Sequence, residues 1–129
     1  EYINQQNVKG EGTSVPSFGD YMEFKIRNES WVIRFVPAQS PELQKSDGSY
    51  TIGVTDQSNN TVYLADHLTG PMLDRVLCHE LTHAVCMTYN LYMPIETEEK
   101  LCNFMSDHGK EIIYLLDDLL ENILILRVA

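Results

Sequence analysis

The sequence predicts an α+β fold, in which a small antiparallel sheet of about three to four strands packs on a long helix and two helical segments follow. Three observations carry that prediction. Short runs rich in β-branched and aromatic residues alternate with polar turns between Tyr21 and Ala65. From about Thr69 the apolar spacing turns helical, and this run carries His79-Glu80-Leu81-Thr82-His83. Helical spacing resumes after Pro94 and runs on through Leu126.

A chain of 129 residues, 43% of them hydrophobic, can bury one real core. Residues 21–129 are expected to form that single domain. Residues 1–20, with Gly10, Gly12, Pro16 and Gly19, carry little periodicity and read as an irregular N-terminal arm.

In Tyr21–Ile26, Met22, Phe24 and Ile26 share one side of a strand. Asn28-Glu29-Ser30 predicts a turn, and Trp31-Val32-Ile33-Arg34-Phe35-Val36 has strong strand composition, so the two runs form a hairpin. Pro37 to Gly48 reads as a loop with a short helical turn around Leu43. A second hairpin is expected from Tyr50–Val54 and Thr61–Ala65 around the polar turn Asp56-Gln57-Ser58-Asn59-Asn60. Thr61–Ala65, just ahead of the motif, is the expected sheet edge to which an extended peptide could add as another strand.

The motif helix should start between Thr69 and Met72, with Thr69 or Gly70 as cap, Pro71 in the first turn and Asp74 facing the positive helix end. Leu73, Val76, Leu77, Leu81, Ala84, Val85 and Met87 leave almost no polar face, which predicts a buried helix whose His79, Glu80 and His83 need partners. Pro94 ends that region, since the residue before a proline is pushed out of the helical conformation. Thr97 then caps a helix that Gly109 ends or bends. A stripe from Ile112 to Leu126 follows and is expected to pack on the core, with use as a homodimer face the alternative.

The net charge of −10 argues against a phosphate-binding surface, so nucleic acid is not an expected partner. Asp117, Asp118 and Glu121 speak against a membrane span in the last helix. Cys78, Cys86 and Cys102 are odd in number and lack C-x-x-C spacing, which suits reduced thiols and a cytoplasmic location. No basic segment followed by an apolar one opens the chain as a signal peptide would.

Residues four apart on a helix lie one turn apart on the same face, so His79 and His83 can reach one small ion. Glu80 projects beside them, placed to act on a metal-activated water without being a ligand. This is the H-E-x-x-H pattern of zinc metallopeptidases. Catalytic zinc takes three protein ligands and keeps one position open. The extended pattern that supplies a third His fails, because Cys86 stands where its Gly would be and Tyr89 where its His would be. Glu96, Glu98, Glu99 and His108 remain as candidates. Glu99 is preferred because Asn103, one turn further along, could orient it, whereas Glu98 would have Cys102 there.

The stretch Val76–Ala84, followed by Glu98-Glu99-Lys100-Leu101-Cys102-Asn103-Phe104, resembles minimal gluzincin-type metallopeptidases. More narrowly, it is similar to the ImmA/IrrE-like proteins of phages and conjugative elements. In those a following helix carries a ligand Glu upstream of an Ala-Asn or Ala-Asp pair and a Phe. Cys102-Asn103-Phe104 matches with Cys for Ala, and the resemblance assigns the third ligand to Glu99. It implies Zn2+ as cofactor, a peptide or protein substrate such as a repressor, and a small sheet ahead of the motif helix. No DNA-binding module, which some relatives have, is recognisable in this chain.

Other residues are candidates for further roles. Cys78 and Cys86 could act as redox or metal switches, though buried Cys more often serves as a small hydrophobe. His67, His108, Tyr63, Tyr89 and Tyr92 could each steady an oxyanion. The functional expectation is a zinc-dependent metallopeptidase with Glu80 as general base. The alternative is a non-catalytic zinc-binding interaction module, its site closed by a fourth protein ligand such as Cys78 or His108. A metal-free reading, in which the His and Glu side chains satisfy one another, is the third.

Overall fold

A computed structural model describes residues 21–128 and places in them four strands and two α-helices. The fold class is α+β, as expected. The strands are β1 (Tyr21–Ile26), β2 (Glu29–Val36), β3 (Gly53–Asp56) and β4 (Thr61–Ala65), followed by α1 (Gly70–Thr88) and α2 (Ile95–Val128). The expected N-terminal arm lies outside the described residues.

Both hairpins form. β1 and β2 pair antiparallel through a tight turn at Arg27-Asn28, where Arg27 takes a φ of 57°. The turn falls just ahead of Asn28-Glu29-Ser30, because Glu29 and Ser30 already pair with Ile26 and Lys25. β3 and β4 also pair antiparallel, with Asp56 opposite Thr61. The sheet as a whole is nevertheless mixed, in the order β1-β2-β4-β3, because β2 and β4 lie parallel. Residues 37–60 supply the return this pairing needs, passing through a short 3-10 turn at Pro41–Leu43 and then β3.

That order corrects the expected edge. β4 is interior, and four of its five residues are buried. Continuous burial of this kind is what a strand flanked on both sides and covered on its faces requires. Among the described residues β3 is the edge strand on that side and β1 on the other, and β3 begins at Gly53 rather than Tyr50, which makes an isolated bridge to Gln44.

Phe24, Ile26, Trp31, Ile33, Val62 and Leu64 form the sheet's share of the core, which Leu43, Leu68 and Ala84 complete. Trp31 donates its indole N–H to Thr88 Oγ1 at 3.0 Å, fixing the end of α1 against β2. Thr88 in turn donates to Ala84 O at 2.8 Å. Burial of α1 is one-sided, because among the described residues the sheet and the first half of α2 cover it. Met72 and Val85 stay exposed and Leu73, Val76 and Leu77 are half-buried, where burial all round was expected.

The two expected C-terminal segments are one helix. α2 starts at Ile95, directly after Pro94, whose carbonyl accepts from the N–H groups of Thr97 and Glu98. It runs through Gly109 unbroken. Gly109 is buried in the packed part of the helix, where an added Cβ would meet the end of the Met105 side chain one turn back, Cε at 2.9 Å, and it does not terminate the helix. Lys110 reaches Asp74 at 2.6 Å and Asp107 pairs with Arg75, so the first turns of α1 lie beside residues 106–110 of α2. Asp74 thus serves helix–helix contact, not the α1 end charge. Beyond this point α2 leaves the domain. Its stripe from Ile112 to Leu126, expected on the core, is exposed throughout. Among the described residues no helix is long and apolar enough to cross a membrane.

Candidate metal centre

α1 places His79 and His83 one turn apart, their rings 5.0 Å between centroids and tilted by 70°. α2 brings its first turns across them. Glu99 Oε1 lies 3.1 Å from His79 Nε2, and Glu99 Oε2 lies 3.1 Å from His83 Nε2. With metal–nitrogen and metal–oxygen bonds near 2.1 Å, two donors of a tetrahedral site sit about 3.4 Å apart. Two of the three donor pairs therefore stand close to that spacing, and Glu99, the acid preferred from the sequence, is the carboxylate that meets both rings.

Glu98 takes a different place. Its Oε2 lies 2.6 Å from His83 Nδ1, leaving Nε2 of that ring directed at Glu99. A carboxylate on the far nitrogen fixes the ring and its tautomer and raises its basicity as a ligand. The orienting role assigned to Asn103 does not materialise: it is exposed, lines the face beside His79 and Glu80, and makes no hydrogen bond to Glu99. Glu96 is exposed on the first turn, and His108 pairs with Glu111 at 3.1 Å, so neither joins the cluster.

Cys102 is the addition that sequence reading did not make. Fully buried on the face of α2 that packs against α1, it brings its sulfur within 4.8 Å of ligand atoms of His79 and His83. His79, His83 and Cys102 form a cluster that can hold a metal ion. Burial pushes the Cys102 thiol up to about 12, with help from nearby Cys86 and Glu99. Cys78 instead points its thiol to Met105 O at 3.5 Å, and burial raises the thiols of Cys78 and Cys86 as well. The spacing of Cys102, three residues after Glu99, was the available signal.

Glu80 is only 8% exposed. Burial drives its carboxyl above the usual range, while Thr55 and the neighbouring His79 and His83 pull the other way. The Thr55 hydroxyl lies 2.7 Å from Glu80 Oε1 and 2.9 Å from Glu80 O, so β3 grips the residue by backbone and side chain together. Gly53 makes room for this approach: a Cβ there would meet Val76 Cγ1 at 2.8 Å and Glu80 Oε2 at 3.1 Å. Neither contact is visible in sequence, because Thr55 and Glu80 come from separate elements. Thr55→Val removes the hydroxyl at nearly constant volume. Loss of a hydrogen bond to a charged group costs about 1.5 kcal/mol or more, so the thermal midpoint of the variant should fall. Thermal unfolding of the variant beside the parent measures it.

These groups open into a cleft of about 520 Å³ between β3 and the start of α2. Thr51, Val54, Met87 and Ile95 give it apolar wall, and Lys45 is its lysine. The five side chains considered for oxyanion stabilisation lie elsewhere. Tyr63 accepts from Asn59, Tyr92 donates to Asn90, Tyr89 carries the Arg27 guanidinium, His108 holds Glu111 and His67 is exposed outside the cleft. Compared with protein families, curated proteins and solved structures, the chain matches none.

Proposed function

We propose that this chain is a zinc-dependent metallopeptidase of the minimal gluzincin type, similar to the ImmA/IrrE-like enzymes, with His79, His83 and Glu99 as metal ligands. The observation that carries the reading is the meeting of both Nε2 atoms with the two oxygens of one carboxylate, Glu99, beside a buried Glu80. Zinc held there would polarise a peptide carbonyl and acidify the attacking water. Glu80 takes the water's proton and returns it to the leaving amine nitrogen, and its raised proton affinity suits both halves of that transfer. Glu98 holds the His83 ring, and Thr55 holds Glu80. An extended peptide could add along the outer edge of β3, which contributes Gly53, Val54 and Thr55 to the cleft. The Lys45 ammonium is the cleft's candidate for countering charge on the carbonyl oxygen.

Cys102 favours one second reading, a closed zinc site in a binding module. A thiolate as fourth ligand would take the position that water needs. Loading the full chain with cobalt(II) in place of zinc separates the two. The peptidase reading expects one metal per chain, visible ligand-field bands, no thiolate-to-cobalt charge-transfer band, and chelator-sensitive cleavage of a peptide library. A charge-transfer band that Cys102→Ala removes would establish the closed site. Absence of stoichiometric metal would overturn both.

A further inference from the structure

We infer that the chain forms a homodimer in which the second half of α2 packs antiparallel against the same segment of a second copy. Ile112, Leu116, Leu119, Ile123 and Leu126 repeat at alternating four- and three-residue spacing, the seam of a helix pair. Leu115 and Leu120 widen it, while Asp117, Asp118 and Glu121 lie on the opposite face together with Tyr114, Leu124 and Ile125. Every apolar residue from Ile112 to Leu126 is between 44% and 75% exposed. A free helix of this length is marginal in water, because its stability comes from packing an apolar face.

Two arguments select a second copy as the occupant. The first is continuity. Cys102, Met105 and Gly109 lie on the helix face that runs on as the Ile112–Leu126 seam, and in the first half of α2 that face is covered by antiparallel α1. α1 begins at Gly70, beside residues 106–110, so the seam outruns its partner. An antiparallel helix from another copy continues the same packing. The second is area. At about half exposure, the seam and its flanking leucines can remove on the order of 600 Å² per copy, near the roughly 800 Å² per partner of a stable interface. An anionic membrane surface fits poorly, since helices lying on it carry Lys and Arg on their polar face, and here that face is acidic.

Sedimentation velocity of the full chain across the micromolar range tests this. The expected result is a mass twice the 14.8 kDa of one chain, falling to the monomer in Leu119→Glu. Leu119 lies beyond the packed half of α2, so Trp31 fluorescence and the thermal midpoint of the variant report whether the domain itself is intact. A second variant, Leu119→Cys, should cross-link to its own copy under mild oxidation, as a two-fold axis near this residue requires. A wild-type monomer at all concentrations would overturn the proposal. So would a dimer that survives Leu119→Glu, which puts the interface elsewhere. Dimerisation appearing only after deletion of residues 1–20 would assign the seam to that arm and overturn it equally.

Discussion

Glu80→Gln should lower peptide hydrolysis by about 10²–10⁴-fold, the contribution of a positioned general base, and leave zinc binding intact. The substitution keeps shape and volume but removes the basic oxygen. Glu80 is not among the groups whose oxygens meet the imidazole Nε2 atoms; that position belongs to Glu99. Its own carboxylate is held by Thr55 from β3, on the sheet side of α1. A glutamine amide can still meet the Thr55 hydroxyl, so the variant should keep its fold and its metal. Turnover and zinc content measured on the same preparation decide the matter. Equal loss of both would make Glu80 a ligand or a structural group, and loss of neither would remove it from the mechanism.

Much of this site was readable before any coordinates. His79, Glu80 and His83 are local on one helix, and helix geometry converts their spacing directly into proximity. Glu99 required a contact between two helices; it is preferred in sequence through Asn103 and the family resemblance, and the carboxylate does meet both imidazoles although the Asn103 contact does not form. The groups that escaped depend on long-range register. Thr55 meets Glu80 only because β3 is outermost and lies against α1. Strand order cannot be taken from alternation alone: each hairpin was clear, but the parallel β2–β4 contact that joins them is set by how residues 37–60 fold back. The same blindness moved the expected edge from β4 to β3. In α2, apolar spacing at Ile112–Leu126 predicts a core-packing stripe, but the stripe is exposed: spacing shows that a helix has an apolar face and says nothing about what covers it.

Glu99→Ala should weaken zinc binding far more than Glu98→Gln does, although the residues are adjacent. Glu99 offers both oxygens to the space between the two Nε2 atoms, whereas Glu98 reaches only the outer nitrogen of His83. Loss of an orienting partner costs roughly 10–100-fold in metal affinity, and that is the expectation for Glu98→Gln. On the proposed reading, removal of Glu99 takes away one of three ligands and also the negative charge that would offset the ion. Its effect should exceed that range. Competition against a chromophoric chelator measures both dissociation constants. Because Glu98 is mostly buried against His83 and Glu99 is nearly half exposed, stability should respond in the opposite order in the metal-free protein. Glu98→Gln weakens a short, shielded contact, while Glu99→Ala removes a solvent-screened one. A protein in which Glu98 carries the larger zinc effect would exchange the two roles, making Glu98 the ligand. The Cys102 sulfur supplies the remaining check: if Glu99→Ala still holds zinc tightly, and Glu99→Ala with Cys102→Ala does not, the thiol has taken the vacated position.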